Sequence, residues 1–159
     1  PYGESPVSTA MGAYFNKKAY TDPALRRKYT RMGFWVNIRL IRYPDVLLMA
    51  AESANEKGLM GEASGYLEQV RAHARGTLTN VLPKVESLDQ SVLREAIRHE
   101  RRVELGLEPD RFYDLVRWGI AQEVLQAAGK NYQPKNALLP LPQTEIDKSN
   151  GVLIQNPDY

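Results

Sequence analysis

Glu100 and Glu104 stand one helical turn apart in "ERRVELGLEPDRFYDLVRWG" (Glu100–Gly119). Two carboxyl groups at this spacing share one helix face, where one could act as general acid and the other as base or nucleophile, as in glycoside hydrolysis. On a helical wheel Val92, Leu93, Ala96, Ile97, Val103 and Leu107 form an apolar stripe, and both acids fall inside it. Arg94, Arg98, Arg101 and Arg102 fall mostly on the other side. A carboxylate turned toward a core needs a cationic or hydrogen-bonding partner, because burying it alone costs several kcal/mol or more. Arg111 and Arg117, placed three residues before and after Asp114, could reach back across the intervening turn to Glu100 or Glu104. An arginine fork would bind either carboxylate bidentately. Glu52 is a third inward acid, with Arg71 as a candidate partner. The predicted polar network is therefore Glu52, Arg71, Glu100, Glu104, Arg111, Asp114 and Arg117. Hydrolysis needs one of its two carboxyl groups protonated, and an arginine-rich setting disfavours that. The pattern favours helices clamped by ions over a catalytic pair, so no catalytic residue is assigned.

Other chemistries have less to stand on. The chain has no cysteine and two histidines, His73 and His99, set in separate predicted helices, so no metal site is expected. There is no phosphate-cradling glycine loop and no G-x-S-x-G, and no cofactor is expected. Lys17, Lys18, Arg26, Arg27 and Lys28 are interleaved with Tyr14, Tyr20 and Tyr29, a pattern seen in nucleic-acid surfaces and in solvated loops alike. A net charge of +2 on 159 residues favours the loop, and no nucleic-acid partner is expected. Trp35 and Trp118 could stack on sugar rings, but aromatics of this kind are more often core. With 43% hydrophobic residues the chain can bury a core, and its longest apolar run, "VLLMAA", suits a buried helix rather than a membrane span.

The elements that must position these side chains read as helices. Residues 44–57 form one, with Pro44 at its start and Gly58 just past its end, and apolar or small residues on nearly every side predict deep burial. A second covers 62–75, with Ala63, Tyr66, Leu67, Val70 and Ala74 on one face, and the short "GLMG" link pairs the two as a hairpin. A third starts near Ser87, with Gln90 completing a capping box, and runs to about Leu107, where Pro109 stops it. A fourth fits 111–128, bent at Gly119. "FWVNIRLIRY" (Phe34–Tyr43) reads as extended within an irregular lead-in over 1–43, and the Pro-rich tail as an extended segment hugging the surface.

Five stretches in order resemble the SusD/RagB family of outer-membrane nutrient-binding lipoproteins. They are "IRLIRYPDVLLMAAESANEKG" (Ile38–Gly58), "YLEQVRAHAR" (Tyr66–Arg75), "HERRVELGLEPDRFYDLVRWG" (His99–Gly119), "LLPLPQTEID" (Leu138–Asp147) and "QNPDY" (Gln155–Tyr159). The resemblance covers roughly residues 36–159 and matches the C-terminal portion of such proteins. Pro44, Leu107 and Pro109 depart from the family's usual residues and bear on local turn geometry.

The resemblance implies an all-α fold of tetratricopeptide-like helical hairpins with long irregular loops and an extended C-terminal tail, one domain over 44–159 after the lead-in. It implies binding without catalysis: a cell-surface protein that captures a glycan or other nutrient and sits over a SusC-like TonB-dependent transporter in the outer membrane. The membrane is reached through a lipid anchor that this chain does not contain, and the chain is expected to be a C-terminal piece of a longer protein. The family's sugar-contacting residues lie largely upstream, so no ligand-binding residue is carried over. The competing reading is a tetratricopeptide-like protein-interaction module that binds no glycan.

Overall fold

The computed structural model describes Lys18, Asn37 and residues 39–159. The extended reading of Phe34–Tyr43 and the basic cluster around Lys17, Arg26, Arg27 and Lys28 lie largely outside those residues. The described chain is all-helical, with six α-helices and no strand. They are α1 (Tyr43–Glu56), α2 (Met60–Arg75), α3 (Gln90–Glu104), α4 (Arg111–Arg117), α5 (Ala121–Ala127) and α6 (Gln143–Lys148), with a 3-10 turn at Pro134–Ala137 before α6. The chain divides into two compact units, residues 1–107 and 108–159.

In the first unit α1 and α2 form a hairpin and α3 packs across both. The hairpin turns sharply because Gly58 takes φ 78°, a left-handed conformation that glycine adopts without a Cβ clash. Its N–H donates to the Asn55 carbonyl, and Leu59 N–H donates to the Ala54 carbonyl, which closes α1 with a Schellman motif. The core is Leu47, Leu48, Ala51 and Ala54 of α1, Ala63, Leu67 and Val70 of α2, and Leu93 and Ile97 of α3. Fully burying each of the leucines and the isoleucine contributes about 1.5–3 kcal/mol. α1 is not buried all round: Tyr43, Val46 and Met49 form an exposed outer stripe, so the expectation of deep burial holds for one face only.

The third helix begins two residues later than the capping-box reading. Asp89 is its N-cap, and one carboxylate oxygen accepts from Ser91 N–H and Val92 N–H. Asp outperforms Ser87 here because it satisfies two orphan amides and places negative charge at the helix's positive end. Ser87 Oγ instead accepts from the Asp89 amide and shapes the approach. The helix ends at Glu104, short of Leu107, which sits at φ 65° outside it. Val92, Val103 and Leu107 are exposed, so the apolar stripe is narrower than the wheel suggests.

In the second unit Leu115, Ala121 and Tyr132 form a small core, with Phe112, Val116, Ile120, Val124 and Leu125 packed against it. The expected single helix over 111–128 is two helices. Gly119 at φ 71° donates its N–H to Val116 and Ile120 N–H donates to Leu115, a second Schellman closure that ends α4 outright instead of bending it. The tail after residue 137 is irregular on both sides of α6 and is held by a terminal clasp.

Candidate functional site

Helix α3 carries the densest set of charged side chains in the first unit, and its buried face explains them. Leu93 and Ile97 continue into Glu100, Arg101 and Glu104 at helical spacing. The first two of these charged residues are buried, so that face changes from apolar to ionic halfway along its length.

Each charge meets a partner from an earlier part of the chain. Arg71 NH1 on α2 lies 2.6 Å from Glu100 Oε2. Arg71 also donates Nε and NH2 to the Pro83 carbonyl, so one guanidinium ties α3 to α2 and to the α2–α3 loop. Arg101 NH1 lies 2.8 Å from Asp45 Oδ1 in the first turn of α1. Arg42, the residue before α1, donates NH1 to Glu104 Oε1 and NH2 to the Glu104 carbonyl, both at 2.9 Å. Lys18 Nζ also donates to that carbonyl. Cations at the C-terminal end of a helix oppose its negative dipole end. Near the start of α3, Arg94 grips Glu56 of α1 through Nε at 2.6 Å and NH2 at 2.7 Å. The hydrogen bond from Arg94 holds the Glu56 carboxyl below its usual value and raises the Arg94 guanidinium.

The predicted residues are therefore distributed as follows. Arg71 meets Glu100, not Glu52. Glu104 meets Arg42, so both glutamates are served by arginines from before α3. Glu52 is half-buried on α1 and engaged in a polar contact of its own. Asp114 is buried in the second unit, accepts from Arg117 Nε at 3.0 Å and lies 2.9 Å from its NH2 in an ion pair. Arg117 and Arg111 both lie over the Trp118 ring, at 4.9 and 5.7 Å from its centroid. Trp118 is thus a seat for cations of its own chain.

The wheel missed Asp45, Arg101, Arg42 and the Glu56–Arg94 pair. Arg101 belongs to the buried face, not the outer one. It follows Ile97 by one turn, the same four-residue step that joins Leu93 to Ile97, and that step was the available signal.

The loop between α2 and α3 is laid along α2 by polar contacts. Arg75 donates Nε and NH2 to the Leu82 carbonyl at 2.9 and 2.6 Å while its guanidinium forks onto Glu68. That hydrogen bond pulls the Glu68 carboxyl below its usual value. Ser64 Oγ donates to the Val85 carbonyl. Asn55, wholly buried on α1, donates to the Gln90 carbonyl, and Gln90 Nε2 returns a bond to the Asn55 carbonyl. Together these fix where α3 begins.

In the second unit the two tail stretches "LLPLPQTEID" and "QNPDY" clasp each other. Gln155 Oε1 accepts from Leu141 N–H at 2.7 Å, and its Nε2 donates to the Leu141 carbonyl at 2.9 Å. Asn156 Nδ2 donates to the Leu139 carbonyl. The Tyr159 hydroxyl donates to the Leu138 carbonyl, and Lys135 Nζ lies over the Tyr159 ring. Side-chain amides here do the work of a strand ladder.

A SusD family sequence model matches residues 1–159. The chain belongs to the SusD family. It is 39% identical over 153 residues to a SusD-like protein of Formosa agariphila, an alignment covering 92% of this chain and 27% of that protein. A second SusD-like protein of the same organism is 36% identical over 127 residues, covering 75% of this chain and 25% of that protein. Among solved structures, a SusD homologue from Bacteroides thetaiotaomicron superposes with a TM-score of 0.68 at 29% identity, covering 84% of this chain and 30% of that one. The SusD-family chain thus spans about a quarter of the length of the relatives it matches. The tetratricopeptide-like reading of its hairpin agrees with that neighbour. The Arg71–Glu100, Arg101–Asp45 and Arg42–Glu104 pairs and the grip of Gln155, Asn156 and Tyr159 on Leu138–Leu141 fall within the stretches that carry the family resemblance.

Proposed function

We propose that this chain is a helical scaffold within a cell-surface protein that binds a glycan or related nutrient and works with a SusC-like, TonB-dependent transporter at the outer membrane, held there by a lipid anchor. The observation that carries this reading is the family match over residues 1–159. The side-chain geometry supports a binding scaffold over an enzyme. Glu100 and Glu104, the pair with catalytic spacing, are each engaged by an arginine, and their evident role is to lock α3 onto α1 and α2. Residues 44–159 serve as one functional region in this reading, although they fold as parts of two compact units.

The exposed stripe Tyr43, Val46 and Met49 on α1 favours a second reading, a tetratricopeptide-like module for protein partners with no glycan role. Affinity purification of the tagged protein from its native membranes separates the two. Recovery of a β-barrel transporter, with glycan binding by calorimetry on the same complex, supports the first. Soluble partners with no barrel and no glycan response support the second.

A further inference from the structure

A chemical feature outside that functional reading lies in the turn after α6. Ser149-Asn150-Gly151-Val152 closes with Val152 N–H donating to the Ser149 carbonyl at 3.2 Å. Asn150 and Gly151 take φ 51° and 83°, the signature of a type I′ turn. Ser149 is its hub: Oγ donates to the Ile146 carbonyl at 2.7 Å and accepts from Leu153 N–H at 2.9 Å. Both central residues are exposed, and a Cβ added at Gly151 would meet nothing within 4 Å. This is the chain's single Asn-Gly pair.

We propose that Asn150 is a site of spontaneous deamidation gated by the Ser149 turn. The Gly151 main-chain nitrogen gives its proton to solvent base and attacks Asn150 Cγ. The new N–Cγ bond forms as the Cγ–Nδ2 bond breaks, and Nδ2 leaves as ammonia after taking up a proton. Water then opens the resulting succinimide at one of its two carbonyls, yielding aspartate or isoaspartate, with no change of oxidation state. Glycine favours the step because no side chain shields its nitrogen. The closed turn opposes it, because ring closure requires the backbone between Asn150 and Gly151 to rotate out of the conformation that the Ser149 bonds hold.

The modification acts on the clasp. Isoaspartate inserts a methylene into the backbone three residues before Leu153 and five before Gln155. That shifts the segment carrying Gln155 and Asn156 against Leu141 and Leu139, which those side chains grip. Asn156 in the clasp is itself protected, since Pro157 offers no N–H to attack.

The test incubates the folded full chain at neutral pH and maps its peptides by mass spectrometry, with isoaspartyl methyltransferase to mark the isomer. Modification is expected at Asn150 ahead of every other asparagine. It should accelerate several-fold in Ser149→Ala and in the parent chain unfolded by urea, and be suppressed several-fold in Gly151→Ala. The proposal is overturned if Asn150 stays intact, if Gly151→Ala leaves its rate unchanged, or if neither Ser149→Ala nor unfolding speeds it.

Discussion

Arg101 NH1 sits 2.8 Å from Asp45 Oδ1, and both side chains are almost wholly withdrawn from water, at 5% and 12% exposure. Removing one member leaves the other charged and buried, a change that typically costs about 3–5 kcal/mol. Arg101→Ala should lower stability on that scale in urea titrations, and Asp45→Ala should lower it by less, since Arg101 keeps a further contact. The double change Asp45→Leu with Arg101→Met should recover most of the loss. If the double variant is as unstable as Arg101→Ala, the loss does not come from the buried charge of Asp45.

Glu100→Gln keeps shape and removes charge, leaving the Arg71 guanidinium without its carboxylate. A loss of about 2–4 kcal/mol is expected, measured by chemical denaturation. Glu104→Gln, at a more open position beside Arg42, should cost less, about 1 kcal/mol. Equal losses at the two positions would contradict the burial difference between them.

Three depressed carboxyls set an acid dependence. Glu56 is held down first by the Arg94 hydrogen bond, Glu68 by that of Arg75, and Asp89 by the Ser91 hydroxyl and the amides of Val92 and Ser91. A folded value below the unfolded one means stability that is fully present above the unfolded values, 4.5 for Glu and 3.8 for Asp, and is lost as pH falls through the folded values. Unfolding free energy should therefore drop on acidification below those values, and Asp89→Asn should make the drop shallower. A flat profile across that window would refute the assignment.

Gln155 holds both the N–H and the carbonyl of Leu141. Gln155→Leu should abolish hydrogen-exchange protection of the Leu141 amide while leaving the amides of α1–α3 unaffected, as expected for local opening of one unit. Loss of protection throughout the chain would mean the clasp is needed for the whole fold.

The helices themselves were legible in the sequence, because period, proline and glycine act locally. α1 and α2 lie close to where apolar spacing and Gly58 put them. Local competition explains the near misses: Asp89 displaced Ser87 as cap, and a glycine able to close a Schellman motif divided one expected helix at Gly119. What holds the tail in place was not legible, because its order comes from Gln155, Asn156 and Tyr159, each bonded to backbone at least 14 residues away.

The sequence by itself determined that this is a helical chain of the SusD family with acids on a packed face. Composition, periodicity and ordered motifs are properties of the chain in one dimension. Which arginine serves which acid was decided only in three dimensions. A charge on a helix has several possible partners within reach of its side chain, and the choice depends on the rotation and approach of neighbouring helices. Packing of Leu48, Leu67, Leu93 and Ile97 sets that rotation, and it delivers Arg71 to Glu100 and Asp45 to Arg101.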